Sequence, residues 1–208
     1  MMDFSLLFPI LNAAFGGWAS VTLDDVPDYL VAGQPVTINY TVRQHGKEPL
    51  SGLAASIEAR SGDQSASFLV SAGSKAGRYT ATLTLPRPGN WTIAINTGFW
   101  PKKVTLLPIP VIAAGAQPPV LSDADRGQRL FAGKGCVTCH THKAVPAEGV
   151  KAGPDLSDKR FGADHLAQFL ADPPKALKAR GSANYMPNLE LKPKEITSLV
   201  AFLQGQTS

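Results

Sequence analysis

Two cysteines and a histidine in the segment Cys136-Val137-Thr138-Cys139-His140 constrain this chain more than any other feature. A C-x-x-C-H sequence is the attachment signature of a c-type haem. The two thiols bond to the vinyl groups of the porphyrin, and the histidine that follows binds the iron. We therefore predict one covalently bound haem c, attached at Cys136 and Cys139, with His140 as an axial ligand of the iron.

Other thiol sites fit this segment less well. A redox-active dithiol of the thioredoxin kind lies near a βαβ pattern, which the flanking residues 133–135 and 141–143 do not show. A structural zinc ion takes four ligands, but the chain has 2 cysteines, and His142 follows Cys139 too closely to complete a tetrahedron. A simple disulfide leaves the adjacent histidine unexplained.

The cofactor and the charge together indicate a cellular location and a class of partner. Covalent haem c attachment is an extracytoplasmic reaction, so we expect the protein in the periplasm or at the outer face of the cytoplasmic membrane, secreted or anchored. The formal net charge is +4, without a run of lysine and arginine. This pattern does not favour nucleic acid, and a weakly basic surface favours docking to an acidic redox partner protein.

The first residues of the chain are apolar between Phe4 and Phe15, with interruptions at Pro9 and Asn12. A membrane-spanning helix needs about 20 apolar residues, so this stretch is too short. It resembles the apolar region of a secretion signal, although the basic start of such a signal is missing. We interpret residues 1–17 as a signal-peptide remnant or a hydrophobic anchor, through which the protein would associate with a membrane.

Residues 18–109 have the pattern of short strands separated by turn residues. Thr37–Val42 and Tyr79–Leu85 alternate in polarity, which is typical of half-buried strands. The predicted strands are Ala19–Val26, Val36–Gln44, Leu53–Arg60, Ala66–Val70, Arg78–Leu85, Trp91–Thr97 and Lys103–Ile109. Seven short strands at this spacing predict an all-β, immunoglobulin-like sandwich.

Three stretches of this region, Val31–Pro35, Gly77–Pro86 and Gly89–Ile93, resemble the extracytoplasmic immunoglobulin-like domains of the FixH and YtkA type. Some relatives in that group handle copper. Copper sites need several imidazole or sulfur ligands, and residues 18–109 contain neither cysteine nor methionine. We interpret the one histidine of this region, His45, as part of a solvated loop.

The tryptophans of the sandwich, Trp18, Trp91 and Trp100, are expected to pack in its core and at its rim. We therefore interpret the sandwich as a docking or spacing module without chemistry of its own. Residues 110–121 are rich in proline and alanine and predict a semi-stiff linker.

Residues 122–208 have helical patterns. Ser122, with Asp125 three residues later, predicts a capped helix start. A second helix is predicted near residues 164–171, ended by Asp172-Pro173-Pro174. The apolar residues of the last helix, between Pro193 and Leu203, recur at intervals of three and four.

Residues 122–205 resemble a class I monohaem cytochrome c. The resemblance rests on Gly127 and Phe131, the C-x-x-C-H motif, Gly-Pro-x-Leu at residues 153–156, Met186-Pro187, and the apolar final helix. It implies an all-α domain in which the first and last helices cross at Gly127. It also implies that the carbonyl group of Pro154 accepts a hydrogen bond from Nδ1 of His140, which would orient the ring.

Met186 is the expected sixth ligand of the iron, both by the resemblance and by its surroundings. Apart from Met1 and Met2 it is the only methionine of the chain, and it lies in a loop rich in Gly, Asn and Pro, where a core methionine is unusual. His142 is too close to His140 to reach the opposite face of a haem. His165 begins a helix, and we expect it to be exposed.

Histidine and methionine ligation leaves no open coordination position. The chain therefore fits an electron-transfer protein, or a subunit of an oxidoreductase complex, better than an enzyme. We expect the sandwich to tether it to a respiratory electron-transfer complex, from which it passes electrons to an oxidase or reductase. Two alternatives stay open: a haem sensor or peroxidase-type enzyme with a displaceable Met186, and a copper-handling protein with an accessory haem.

Two further expectations concern the side chains around the haem. We expect apolar residues to line its pocket, namely Leu156, Phe161, Leu166, Phe169, Leu170 and Leu189. We also expect lysines to surround its exposed edge and steer an acidic partner, namely Lys134, Lys143, Lys151 and Lys159.

Overall fold

An all-β region precedes a helical one in the computed structural model, which describes residues 17–101 and 103–205. The proposed leader or anchor, residues 1–17, lies outside the described residues except for Gly17. The strands are β1 (Ala19–Leu23), β2 (Leu30–Val31), β3 (Pro35–Gln44), β4 (Glu48–Pro49), β5 (Ser56–Ser61), β6 (Gln64–Leu69), β7 (Ser71–Ala72), β8 (Arg78–Thr84), β9 (Gly89–Asn96), β10 (Lys103–Thr105) and β11 (Ile109–Ile112).

The strands form two sheets. One has the order β1-β3-β8-β7, with β4 also paired to β3, and the other has the order β2-β11-β9-β5-β6, with β10 also paired to β9. Neighbouring strands are antiparallel, except that β2 and β11 run parallel. Buried residues of both sheets share one hydrophobic core. The predicted all-β sandwich is therefore confirmed.

The sandwich core follows from the alternation that the sequence shows. In β8 the odd-numbered residues Tyr79, Ala81 and Leu83 are buried, and the residues between them are more exposed. Trp91, which is 1% exposed, fills the other sheet's side of the core, and its indole Nε1 donates to the carbonyl of Arg87 at 3.0 Å. That hydrogen bond offsets the cost of burying the indole N–H.

All seven predicted strands overlap strands of the structure, and the differences involve short elements. Strands β2, β4 and β7 have two residues each, too few to give a periodic pattern. The predicted strand at residues 103–109 is two strands, β10 and β11. Strand β11 continues to Ile112, inside the predicted linker, because Ile109 and Val111 both point into the sandwich core.

The helical domain consists of α1 (Asp123–Gly133), α2 (Cys136–Cys139), α3 (Ala163–Ala171), α4 (Pro173–Ala179) and α5 (Pro193–Leu203). The Ser122 hydroxyl accepts a hydrogen bond from the Asp125 amide, as expected for the cap of α1. Helix α4 was not expected, since Pro173 and Pro174 were interpreted only as an end to α3. Both prolines fit the first turn of a helix, and the Asp172 side chain accepts from the Lys175 amide to cap it.

Helices α1 and α5 cross at Gly127. A methyl group at this position would lie 2.0 Å from the carbonyl oxygen of Ser198, so only glycine permits this approach. Next to the crossing, the rings of Phe131 and Phe202 are 5.7 Å apart. The crossing implied by the resemblance to class I cytochromes is therefore present.

The sandwich and the helical domain meet along residues 24–28, which we call the acidic loop. Arg126 of α1 donates from Nε and Nη2 to both carboxylate oxygens of Asp28, at 2.8–3.1 Å. Arg129 donates to the main-chain carbonyl of Asp28 at 2.8 Å. Val26, between these groups, packs against the hydrophobic cores of both domains. The helical domain is thus docked on the sandwich as well as linked to it by the chain.

Lys134 joins three elements inside this interface. Its side chain is 2% exposed, and Nζ lies 2.8 Å from a carboxylate oxygen of Glu195. The same ammonium group donates to the carbonyl of Asp24 at 2.7 Å. The other carboxylate oxygen of Glu195 accepts from the Lys192 amide at the start of α5. The expectation that Lys134 surrounds an exposed haem edge was wrong, because this lysine is a buried structural residue.

Candidate functional site

A cavity of about 580 Å³ lies inside the helical domain, closed on one side by the sandwich. Its size is within the range of sites that take cofactor-sized ligands. Five of the six residues expected in the pocket line it, namely Leu156, Phe161, Leu166, Phe169 and Leu170. Leu189 lines a small neighbouring cavity of about 30 Å³ instead. The charged residues in the wall of the large cavity, Lys47 and Arg180, are both cationic.

Helix α2 is a single turn that brings both cysteines to this cavity. It begins after Gly135, whose φ is 81°. A methyl group at Gly135 would lie 2.4 Å from the carbonyl oxygen of Val21 in β1. Glycine is therefore needed here both for the backbone conformation and for the close approach of the two domains.

Both thiols are half-buried, and partial removal from water shifts their pKa values. Desolvation, followed by the proximity of Cys139, raises the pKa of the Cys136 thiol to about 12. Burial also raises the pKa of Cys139. Reactive dithiols have a lowered thiol pKa, whereas the pKa of both thiols here is shifted upward.

The imidazole of His140 also lines the cavity, and one of its nitrogens is engaged in a hydrogen bond. Nδ1 lies 3.0 Å from the carbonyl oxygen of Pro154. When Nδ1 donates this hydrogen bond, Nε2 carries the lone pair that can bind a metal ion. Gly153 lies against the ring, because a methyl group there would be 2.4 Å from Cε1 of His140. Gly153 therefore belongs to the site as the residue that leaves room for the imidazole.

Met186 lies in the irregular segment between α4 and α5 and also lines the cavity. Its side chain is half-buried and packs against the hydrophobic core of the helical domain. The neighbouring residues Tyr185 and Pro187 line the same cavity. The structure thus brings Cys136, Cys139, His140, Pro154 and Met186 to one cavity.

The two histidines considered as rivals of Met186 occupy different places. His165 lines the cavity, with its Nε2 at 2.8 Å from Nη2 of Arg180. His142 packs between the rings of Phe131 and Phe202, with ring centroids 6.0 and 4.4 Å away. Desolvation there lowers the pKa of His142. His142 therefore belongs to the packing around the helix crossing.

The sandwich contributes three residues that sequence reasoning did not assign to the site. Trp18, His45 and Lys47 all line the cavity. His45 is exposed, as expected of a loop residue, but it also faces the candidate haem site. These residues lie about a hundred positions before the motif in the chain, and they carry no local signal that points to it.

Comparison with known families identifies the helical domain. The family model that describes cytochrome c matches residues 124–207. These residues are a cytochrome c domain. A domain of this family carries covalently bound haem c and transfers electrons, and Cys136 and Cys139 are in place for the attachment. The match covers the C-terminal part of the chain and leaves the sandwich outside it.

No curated protein matches this chain. Solved structures match over about half of the chain. One is S-layer protein SbsC domains 4 and 5, with 24% identity over 45% of this chain and 51% of that one and a TM-score of 0.33. Another is the Lin-41 filamin domain, with 15% identity over 46% of this chain and 90% of that one and a TM-score of 0.32. A superoxide reductase from Ignicoccus hospitalis also matches (12%, 45% and 79%, 0.29). This chain thus spans about half of the SbsC fragment.

Among the described residues, none of the helices has the length and apolarity needed to span a bilayer. The same described residues contain no cluster of three or more His, Cys, Asp or Glu side chains that could hold a metal ion.

Proposed function

We propose that this protein is an extracytoplasmic one-electron carrier in which His140 and Met186 bind the haem iron from opposite sides. The observation that carries the proposal is that both side chains line one cavity together with Cys136 and Cys139. The thiols would hold the porphyrin edge, and the Pro154 carbonyl would fix the His140 ring by accepting a hydrogen bond from its Nδ1–H.

The lining of the cavity fits the cofactor. Its wall is largely apolar, as a porphyrin ring requires, and Leu156, Phe161 and Phe169 would exclude water from it. Arg180 would pair with one of the two carboxylates that the haem carries. When bound, haem c supplies one-electron iron chemistry, and a methionine ligand raises its reduction potential.

The location and partner follow from the same chemistry. Haem c is attached outside the cytoplasm, so we propose the periplasm or the outer face of the cytoplasmic membrane, with residues 1–17 as a leader or anchor. The partner is a redox protein or a respiratory complex that passes its electrons to an oxidase or reductase. We also propose that the sandwich belongs to the FixH and YtkA type, and that Lys143, Lys151 and Lys159 lie near the docking surface.

Met186→Ala is the direct test. The variant should keep its covalent haem, because the thioether bonds do not involve Met186. Its reduction potential should fall by on the order of 0.1 V, within the range of about 0.8 V that axial ligands span. The far-red methionine-to-iron charge-transfer absorption should disappear, and the ferrous form should bind carbon monoxide.

Lys178→Ala, in the neighbouring helix α4, is exposed and outside the cavity wall; as the control it should keep the reduction potential, the charge-transfer absorption and the inertness to carbon monoxide. A Met186→Ala protein that stays six-coordinate and inert to carbon monoxide would mean that another residue binds the iron. His165 and His45 are then the candidates, since both line the cavity. Rapid peroxide consumption by the unmodified protein would favour the peroxidase-type alternative, and copper in metal analysis would favour the copper-handling one.

A further inference from the structure

The turn between β3 and β4, residues 44–47, projects from the sandwich toward the segment that carries Met186. Gly46 is buried between two rings: a methyl group there would lie 3.6 Å from the Trp18 ring and 3.7 Å from Pro187. One residue on, the ammonium group of Lys47 lies 4.3 Å from the centre of the Tyr185 ring. The turn therefore contacts the residues on both sides of Met186.

The turn is itself rigidly held. Its two central residues have positive φ, 51° at His45 and 70° at Gly46, the combination typical of tight hairpin turns. The amide of Lys47 donates to the carbonyl of Gln44 at 2.9 Å, and the amide of His45 donates to the carbonyl of Trp18 at 2.8 Å. The His45 and Trp18 rings meet edge to face at 5.7 Å. The sandwich thus presents a fixed surface to the Met186 segment.

The Met186 segment has weaker support of its own. It runs without helix or strand from the end of α4 to the start of α5. Its hydrogen bonds include local ones over two residues, from the Asn184 amide to Ser182 and from the Glu190 amide to Asn188. A segment of this kind relies on neighbouring elements for a defined position.

We propose that the sandwich positions the sixth ligand of the haem iron. Trp18, Gly46 and Lys47 act as positioning residues: they hold Tyr185 and Pro187, and thereby keep the thioether of Met186 directed into the cavity. The sandwich is then part of the haem pocket, and closure of the iron to outside ligands depends on the contact between the two domains. This inference rests on the proposed ligation by Met186.

Binding of imidazole to the ferric protein measures this effect, because imidazole competes with Met186 for the iron. Lys47→Ala removes the cation over Tyr185 and should raise imidazole affinity about 2- to 5-fold, the factor equivalent to about 0.5–1 kcal/mol. Trp18→Ala removes the ring behind Gly46 and should raise it about tenfold. Lys47→Arg keeps a cation over the ring and should restore the original affinity.

Matched controls lie elsewhere on the sandwich, where Lys75 and Leu69 are exposed and outside the cavity wall. Lys75→Ala and Leu69→Ala should leave imidazole affinity unchanged. Equal affinities in Lys47→Ala, Trp18→Ala and both controls would overturn the inference. Lys47 is exposed, so its variant tests the inference even when Trp18→Ala does not fold. If Met186 does not bind the iron at all, the unmodified protein lacks the far-red charge-transfer absorption. This result distinguishes a failure of the proposed ligation from a failure of the present inference.

Discussion

The two domains differ in what fills their hydrophobic cores. The sandwich fills its interior with its own side chains, among them Tyr40, Trp91 and Ile93, which are at most 1% exposed. The cytochrome c domain surrounds a cavity of about 580 Å³ with short helices. The sandwich core is thus complete by itself, whereas the cytochrome core is completed by a cofactor and, on one side, by the sandwich.

Removal of the haem attachment should produce the largest difference in stability between the two domains. In a Cys136→Ser/Cys139→Ser variant we expect the haem to be lost and the cytochrome c domain to unfold, because a group that binds only the folded state contributes its binding energy to stability. The sandwich should stay folded. Amide hydrogen exchange would show protection in β3 and β8 and none in α3 and α5. Persistent protection of the helices without haem would contradict the view that the cytochrome core needs the cofactor to be complete.

The buried ion pair between Lys134 and Glu195 comes next; it lies inside the cytochrome c domain, and its ammonium group also donates to the carbonyl of Asp24 in the sandwich. Lys134→Met leaves the Glu195 carboxylate buried without its partner, which should cost about 3–5 kcal/mol in the free energy of unfolding. Glu195→Gln in the same chain should recover part of this loss. Lys192→Met is the control: its ion pair with Asp25 is exposed, and its loss should cost less than about 1 kcal/mol. Denaturant unfolding followed by haem absorbance measures all three, and equal losses for the two lysines would refute the role of Lys134.

Gly127→Ala tests the helix crossing inside the cytochrome c domain. The added methyl group meets the main chain at Ser198, so the helices must separate, at a cost of about 1–3 kcal/mol. Gly162→Ala, where a methyl group finds its nearest neighbour at 3.9 Å, should change stability little. Thermal unfolding detected through the haem gives the comparison. An unchanged midpoint in Gly127→Ala would show that the crossing does not depend on Gly127.

Tyr40→Phe gives the smallest effect, in the opposite direction. The Tyr40 hydroxyl is buried in the sandwich core and has no hydrogen-bond partner among the residues that the structure describes. Its removal should leave the sandwich equally stable or stabilise it by up to about 1 kcal/mol. The ring would keep its stacking on Tyr79, at 5.6 Å between centroids. A clear loss of stability in denaturant titration would mean that the hydroxyl has a partner, such as a bound water molecule.

Sequence reasoning succeeded where a feature is local. The C-x-x-C-H motif, the alternation in β3 and β8, and the cap at Ser122 each depend on residues a few positions apart. It failed where a residue has two compatible roles, as with Pro173, which ends one helix and begins another. Lys134 shows a second kind of failure, since nothing near it in the chain indicates that Glu195 and Asp24 surround it.

The order of the two domains, their fold classes and the haem attachment can be read from the amino-acid sequence, because they follow from short-range periodicity and from a motif whose atoms lie within one helical turn. The binding of the acidic loop to α1, and the position of Trp18, His45 and Lys47 in the cavity wall, become visible only in the folded protein. These contacts join residues about a hundred positions apart, and their energy comes from packing and charge pairing that exist only once both domains have folded.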